Sequence, residues 1–142
     1  MKKILLAIDG SVHSQKLTEE AIMLARSIEA EVTVITVMEE EPNLGASFAP
    51  SDTIKIIKEN YKKYAEQILA KAEKDFKDNG VAVKTVLANG HAADEICKLA
   101  NKEIYDMVVI GSRGLGGLRE ALLGSVSNKV AQCAKAHVLI IK

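Results

Sequence analysis

The sequence predicts an α/β sandwich built around a mainly parallel β-sheet. Two observations support this fold class. Short aliphatic and β-branched runs alternate along the 142 residues with longer segments whose apolar residues recur at helical spacing. Hydrophobic residues make up 48% of the chain but aromatic residues only 4%, so the core must be aliphatic, as in a sheet buried on both faces. Strands separated by helices favour right-handed crossover connections.

The strands are predicted from runs of aliphatic and β-branched residues that end at polar or glycine-containing segments. The runs are KILLAI at 3–8, EVTVITVM at 31–38, VAVKTVL at 81–87, DMVVI at 106–110 and HVLII at 137–141. The first ends before Asp9 and Gly10, the third before Asn89 and Gly90, and the fourth at Gly111. Each of these endings is typical of a chain that leaves the sheet and turns.

The helices are predicted where apolar residues recur three or four positions apart. These segments lie at 17–28, 54–76, 93–100 and 118–134. The second is the longest and stops at Asn79 and Gly80, a common helix end. We interpret it as a crossover helix with a solvated, charged face, and the acidic stretch at 39–50 before it as a loop. A lid over a site, or a surface for a partner, are the alternatives for this helix.

Charge and cysteine content exclude several function classes. Lysine plus arginine and aspartate plus glutamate number 19 each, so the net charge of +0 gives no electrostatic reason to bind nucleic acid or an anionic membrane. Cys97 and Cys133 show no metal-binding spacing, and we expect both to be free, buried thiols. No apolar run approaches the ~18 residues of a membrane span. We therefore expect one domain over 1–142 and a cytoplasmic location.

The most informative segment for function is the glycine-rich run at 111–117, which holds four of the nine glycines. In parallel α/β sheets, ligands bind beyond the carboxyl ends of the strands, where the strand order reverses. Glycines let the backbone approach an anion closely, and a following helix offers free N–H groups. This run follows a predicted buried strand and precedes a helix, so it suits a phosphate site; a flexible connecting loop is the alternative.

The two common phosphate-binding fingerprints do not fit this run. Gly111 and Gly116 have the spacing of a P-loop, but Gly117 and Leu118 stand where Lys and Ser or Thr are required. The dinucleotide fingerprint fails as well, because Arg119 occupies the position of its third glycine. Both fingerprints also normally follow the first strand, whereas this run follows the fourth.

A third spacing does fit, and with it the chain resembles a universal stress protein of the ATP-binding kind. Gly111, Gly114, Gly124 and Ser125 form the pattern G-x2-G-x9-G-[S/T]. The family's other motifs are matched by Ile8-Asp9-Gly10-Ser11 with Ser14, by the strand-like 32–37, by the stretch 106–114, by Gly124-Ser125-Val126-Ser127 and by the closing strand 137–140. One departure is Ala136, where the family usually has Cys-Pro; it alters the entry to a strand and not the site.

The resemblance implies a fold, a ligand and an assembly. The fold is a three-layer sandwich with a five-stranded parallel sheet in the order 3-2-1-4-5, of the adenine nucleotide alpha hydrolase-like type. The function is that of a nucleotide-dependent stress-response module that binds ATP, with Mg²⁺ or Mn²⁺ held through the phosphates. The assembly is a homodimer formed through the edge strand at 137–141, which also lacks internal charge or proline to protect its edge.

The resemblance also assigns roles to individual positions. Val37 would meet adenine through its backbone, Ala7 would touch the ring or ribose, and Asp9 would bind ribose hydroxyls or a metal. Asp9 capping its own turn is the alternative, and Ser11 is expected to cap the first helix. The phosphates would be held from both sides by Gly111, Ser112, Arg113, Gly114, Gly116, Gly124, Ser125, Val126 and Ser127.

Two of these assignments have structural alternatives. Arg113 either reaches a phosphate or is solvated. Gly124 lies inside the predicted last helix, where glycine costs about 1 kcal/mol relative to alanine. Either the helix begins near Gly124, so that the following N–H groups face the glycine-rich run, or Gly124 permits close helix packing.

An enzyme is the alternative function. A slow ATP-hydrolysing enzyme of the adenine nucleotide alpha hydrolase-like superfamily would share the fold. The sequence offers no P-loop lysine, no positioned general base and no evident nucleophile, so no catalytic residue is predicted. We expect any ATP turnover to lie far below ~1 s⁻¹, the low end of ordinary enzymes.

Overall fold

The computed structural model describes residues 1–39, 50–113 and 123–142, and strands and helices alternate along them. The elements are β1 (Lys2–Ala7), α1 (Ser14–Ile28), β2 (Ala30–Met38), α2 (Ser51–Asp78), β3 (Val83–Asn89), α3 (Ala92–Lys102), β4 (Met107–Gly111), α4 (Ser125–Cys133) and β5 (His137–Ile141). Within this described part, no helix combines the length and the apolar character needed to cross a membrane.

The strands form a five-stranded sheet in the order β3-β2-β1-β4-β5, and all neighbours are parallel. This confirms the fold class and the strand order expected from the sequence. β1 lies at the centre, and its residues Ile4, Leu5 and Leu6 are fully buried. Because β1 pairs with β2 on one side and β4 on the other, the strand order reverses between β1 and β4.

Helices cover both faces of the sheet. α1 and α2 pack on one face, where Phe76 is completely buried, and α3 and α4 pack on the other around Val130. Most other core side chains are alanine, valine, leucine or isoleucine, as the low aromatic content predicts. The two helix layers follow from the reversal, since α1 and α4 leave neighbouring strands towards opposite faces.

The third strand begins two residues later than predicted, at Val83 instead of Val81. The Val81 N–H donates to the carbonyl of Phe76 at 3.0 Å, so Val81 still belongs to the turn that ends α2. Gly80, with a φ of 73°, makes this turn possible. Sequence pattern alone assigns Val81 to the strand because it is an apolar, β-branched residue at the start of the run VAVKTVL.

The last helix also begins later than predicted. The expected range was 118–134, but Leu123 and Gly124 precede the helix, and residues 118–122 lie outside the described part. Gly124 has an extended ψ of 153°, and its N–H donates to the carbonyl of Ser112 at 2.8 Å. Of the two interpretations of Gly124, the structure therefore supports a helix start, with α4 running from Ser125 to Cys133.

The prediction of free cysteines is wrong in this structure. Cys97 and Cys133 form a disulfide, and their Cα atoms are 6.0 Å apart. The 36 residues between them hide this proximity in the sequence. It arises because α3 and α4 lie side by side on the same face of the sheet, with one cysteine on each helix.

Candidate functional site

The candidate site lies where the strand order reverses, at the carboxyl ends of β1 and β4. Leu6 pairs with Val109, and continuing this parallel register sets Ile8 beside Gly111. The segments after these two strands therefore begin next to each other. They contain several of the site residues predicted from the sequence, including Asp9 after one strand and Ser112 after the other.

The segment after β1 is closed by its own side chains. Asp9 Oδ1 accepts hydrogen bonds from the Ser11 N–H at 2.9 Å and from the Ser14 hydroxyl at 3.3 Å. The Ser14 hydroxyl also accepts the Gly10 N–H at 3.0 Å. Asp9 is thus a turn-capping residue, as one interpretation of the sequence held. Its other carboxylate oxygen, Oδ2, takes no part in these bonds, so capping does not prevent it from binding a ligand.

Ser11 caps the turn that leads into the first helix, and not the first helical residues themselves. Its hydroxyl accepts the His13 N–H at 3.4 Å, and its carbonyl accepts the Ser14 N–H at 3.0 Å. α1 begins at Ser14, and the residue before it is His13, whose side chain makes no capping bond. Ser14 is nearly buried and is the residue that organises this segment, a role that sequence reasoning missed. The D-G-S-x-x-S spacing was the available signal, because it sets two serines at fixed distances from the aspartate.

Helix α2 lies against the same segment, a contact that the sequence did not predict. Tyr64 donates its hydroxyl to the Gly10 carbonyl at 3.4 Å. A Cβ atom at Gly10 would collide with Ile68 and would lie 3.0 Å from the Tyr64 hydroxyl. Gly10 also has a φ of 78°, so both its backbone conformation and its surroundings require glycine.

The end of β2 presents backbone groups towards the site. The Ile35 carbonyl accepts the Ile8 N–H on the side of β2 that faces β1. The Met38 carbonyl accepts the Gly90 N–H on the side that faces β3. Backbone groups alternate in direction along a strand, so the N–H and C=O of Val37 point to the β1 side. There β1 has already ended, since its last residue, Ala7, pairs with Ile35. The side chains of Ala7 and Val37 both lie on the face covered by α3 and α4.

The segment after β4 is joined to the start of α4. The Gly124 N–H donates to the Ser112 carbonyl at 2.8 Å, and the buried Ser127 hydroxyl donates to the Gly111 carbonyl. The two ends of the motif that runs from Gly111 to Ser125 are therefore in direct contact. Because the Ser127 hydroxyl is used in this contact, the group that Ser127 can offer to a ligand is its backbone N–H.

The remaining predicted residues fall into two groups. Ser125 is exposed on the first turn of α4, Val126 is half-buried there, and Arg113 is half-buried at the end of the described part of the glycine-rich run. Gly114 and Gly116 lie outside the described residues.

The helix start at α4 is electrostatically suited to an anion. The first N–H groups of a helix have no acceptor within it, and the helix dipole adds positive charge there. α4 carries no acidic residue in its first turn. α3, which starts at the same edge of the sheet, carries Asp94 and Glu95 in its first turn, and Glu39 Oε1 already accepts the Ala92 N–H at 3.3 Å.

The charge of Asp94 is secured by α4 itself. Lys129 lies 2.7 Å from Asp94, and its hydrogen bond lowers the pKa of that carboxyl. Lys129 offsets the charge of Asp94, and the further acidic residues at the start of α3 are Glu95 and Glu39. Of the two described helices of this face, α4 is the one whose first turn carries no acidic residue.

A metal is not held by a protein cage in the described part of the chain, where no cluster of three or more His, Cys, Asp or Glu side chains is found. The single carboxylate of Asp9 at the reversal fits a different arrangement. Mg²⁺ is commonly bound by one or two carboxylates together with substrate phosphates and water. Asp9 suits that role only alongside a bound nucleotide.

Comparison with known proteins agrees with this geometry. The family description "Universal stress protein family" matches residues 1–142. The chain belongs to the universal stress protein family. This universal stress protein is 37% identical over 145 residues to universal stress protein YxiE of Bacillus subtilis, an alignment that covers 99% of this chain and 98% of YxiE.

Solved structures of related proteins share the fold. Protein MJ0577 of Methanocaldococcus jannaschii superimposes with a TM-score of 0.85 at 27% identity, covering 99% of this chain and 95% of the other. A universal stress protein solved in complex with cAMP superimposes with a TM-score of 0.74, also at 27% identity, covering 99% and 97%. The sandwich is thus the adenine nucleotide alpha hydrolase-like fold of the family.

Proposed function

We propose that this universal stress protein binds ATP, with Mg²⁺ or Mn²⁺ held through the phosphates, and acts as a nucleotide-dependent module of the stress response. One observation carries the proposal. The hydrogen bonds from Gly124 and Ser127 to the end of β4 and the segment after it bring the start of α4 to the carboxyl ends of β1 and β4, where the strand order reverses. This is where ligands bind in open α/β sheets.

The phosphate end of the ligand is supported by the contrast between two helix starts. α4 presents unbonded N–H groups without nearby acidic residues of its own first turn, while α3 is negative at its start. A triphosphate is therefore directed to α4. Ser125, Val126 and Ser127 supply backbone N–H groups, and Ser125 adds an exposed hydroxyl.

The adenine end is supported by Val37. Its N–H and C=O point beyond the end of β1, and a donor and an acceptor side by side suit the edge of an adenine ring. The buried Ala7 and the half-buried Val37 are apolar residues on the same face of the sheet. The related protein solved with cAMP, itself an adenine nucleotide, is in keeping with this choice of base.

The test is calorimetric titration with Mg²⁺-ATP, for which we expect micromolar or tighter affinity. Asp9→Asn keeps an oxygen for the Ser11 N–H but removes the charge, and it should weaken binding about tenfold or more. Asp75→Asn makes the same chemical change near the C-terminal end of α2, outside the candidate site. It is the matched control and should bind ATP like the wild type. Gly114→Val should abolish binding by blocking backbone approach while the fold is retained.

Each outcome is decisive for one part of the proposal. A wild-type protein that binds neither ATP nor another adenine nucleotide contradicts the function itself. Equal affinity of Asp9→Asn and the wild type contradicts the role of Asp9, and equal affinity of Gly114→Val contradicts the role of the glycine-rich run.

The proposed module is a homodimer that pairs through β5. β5 is an edge strand, and Leu139 on it is 37% exposed. Since the Ile141 carbonyl accepts the Ser112 N–H on the β4 side, alternation turns the N–H of Ile140 towards the open edge. A twofold axis would pair this edge with its own copy in the antiparallel direction.

Ile140→Pro tests this assembly. Proline removes an outward-facing donor and leaves the bonds between β4 and β5 in place. Light scattering should show a dimer for the wild type at tens of micromolar, roughly the range of standard interfaces, and a monomer for the variant. A monomeric wild type contradicts the proposed dimer. A variant that remains dimeric shows that another surface forms it.

A further inference from the structure

The Cys97–Cys133 disulfide joins α3 to the end of α4 that lies opposite the candidate site. Cys133 is the last residue of α4, and Gly124 immediately precedes its first residue. Both ends of this short helix are therefore fastened, one by the disulfide and the other by the bonds to the segment after β4.

α4 depends on few other contacts. It is nine residues long, and an isolated helix of that length is not stable in water. Ser127 and Val130 are its only fully buried residues. Asn101 also holds its end, by donating to the Cys133 carbonyl at 3.0 Å and accepting the Lys135 N–H at 2.9 Å. Lys129 adds an exposed ion pair with Asp94, and exposed pairs contribute little.

The two cysteine residues differ in exposure. Cys97 is 6% exposed, whereas Cys133 is half-buried at the end of a surface helix. A small thiol approaching the bond therefore meets Cys133 first, and Cys97 is the leaving group. A fully enclosed disulfide would not offer this route.

We infer that Cys97 and Cys133 form a thiol–disulfide exchange site for small-molecule thiols and disulfides of the glutathione class, and that its redox state sets the nucleotide affinity through α4. The second part rests on the proposed function. Reduction removes the covalent link at this end of α4 and leaves it held by the hydrogen bonds of Asn101, so the N–H groups at the other end of the helix are less well positioned for phosphate. Oxidation restores the constraint and the affinity.

The exchange is balanced by the glutathione couple. In oxidation, the Cys133 thiolate attacks one sulfur of glutathione disulfide and expels one glutathione thiolate. The Cys97 thiolate then attacks the Cys133 sulfur of the mixed disulfide and expels the second. The protein loses two electrons and two protons, and glutathione disulfide becomes two molecules of glutathione. Reduction follows the same steps in reverse.

The first measurement follows the exchange without any nucleotide. The wild-type protein is equilibrated in buffers of graded glutathione to glutathione disulfide ratio, quenched with an alkylating reagent and weighed by mass spectrometry. We expect a transition from no alkylated cysteines to two alkylated cysteines within the series. A pair that stays oxidised in excess glutathione, or reduced in excess glutathione disulfide, overturns the exchange site.

The second measurement compares the oxidised and reduced protein. ATP affinity by calorimetry should fall about fivefold or more on reduction, the scale of ordinary coupling between sites. The Cys97→Ala/Cys133→Ala variant should bind like the reduced wild type in every buffer. Hydrogen exchange of the α4 amides should accelerate on reduction and serves as the readout that needs no ligand.

The outcomes separate this inference from the proposed function. Equal affinity and equal α4 exchange in both redox states overturn the coupling, even if the disulfide forms and breaks. Absence of ATP binding in both states contradicts the proposed function, and the exchange site and the loosening of α4 are then still decided by alkylation and hydrogen exchange.

Discussion

The segments that follow β1 and β4 meet at the same edge of the sheet but are held in different ways. The segment after β1 is closed from within, because Asp9 and Ser14 bond the backbone of Gly10 and Ser11. The segment after β4 is held from outside, by Gly124 and Ser127 at the start of α4. The conformation of the first segment is fixed by hydrogen bonds among its own residues and Ser14. The conformation of the second depends on the position of α4.

This difference assigns different tasks to the two segments. In the first, side-chain oxygens are already used to fix a turn, so it offers one carboxylate oxygen in a rigid setting. In the second, the Gly124 N–H and the Ser127 hydroxyl hold the two ends together, and the unbonded groups are the N–H groups of a helix start. Changes in the first segment, apart from the loss of the Asp9 charge, should therefore act mainly on stability. Near the start of α4, some changes should lower the free energy of unfolding and others should lower only the affinity for ATP.

The largest expected effect is on the first segment, from Gly10→Ala. The new Cβ meets Ile68 and the Tyr64 hydroxyl, and the φ of 78° is unfavourable for alanine. We expect a loss of about 2–4 kcal/mol in the free energy of unfolding, from overpacking added to backbone strain. Urea denaturation measures this loss.

Gly80→Ala is the matched control for Gly10→Ala. Its φ of 73° is nearly the same, but nothing lies within 4 Å of the added Cβ. It should cost about 1 kcal/mol, the backbone share alone. Equal losses at the two glycines would show that α2 does not press on the segment after β1.

The next effect concerns the second segment and uses two serines of one helix turn. Ser127→Ala leaves the Gly111 carbonyl without its donor in a buried setting, and should cost about 1–3 kcal/mol of stability. Ser125→Ala removes an exposed hydroxyl, so stability should change by less than about 0.5 kcal/mol. ATP affinity should nevertheless fall by about two- to tenfold, the value of one hydrogen bond.

Denaturation and calorimetry on both serine variants decide the point. A large stability loss in Ser125→Ala, or none in Ser127→Ala, would reverse the roles assigned to the two hydroxyls. Unchanged ATP affinity in Ser125→Ala would remove its hydroxyl from the proposed site.

The fold could be predicted from the sequence because its signals are local and repeated. Every strand is an aliphatic or β-branched run, and β5 was predicted with the bounds observed. Strand order was available only through the resemblance to a family, because pairing is a long-range property that no single run encodes. The bounds of β3 were missed because Val81 is buried in a turn, where burial and strand pairing differ.

The candidate site was predicted in part, for a related reason. Spacing in the sequence pointed to Asp9, Gly111 and Gly124, which the fold brings to the reversal. Contacts between distant segments were missed, namely Tyr64 with Gly10 and the Cys97–Cys133 disulfide. They depend on how α2 packs against the segment after β1 and on how α3 packs against α4. A single tyrosine or cysteine in a helical pattern does not indicate which distant residue it will contact.

The smallest expected effect lies at the other end of β1 and β4, where Asp106 joins the two strands. Its carboxylate accepts the Lys3 N–H at 2.8 Å, and its own N–H donates to the Lys3 carbonyl at 2.9 Å. The bond from Lys3 lowers the pKa of Asp106 below its ordinary value of 3.8. The unfolded chain therefore takes up the proton first.

The stability that Asp106 contributes is present above pH 3.8 and is lost as the pH falls through the lower pKa of the folded state. Asp106→Asn removes this titration, so its urea midpoint should fall less steeply than that of the wild type over this acid range. ATP affinity at neutral pH should stay unchanged, because both segments of the site lie at the opposite end of the strands. Parallel midpoint curves for the two proteins would show that the bond to Lys3 does not depend on the charge of Asp106. A fall in ATP affinity would show that the segments after β1 and β4 are positioned from the amino ends of their strands, and not by Ser14 and α4.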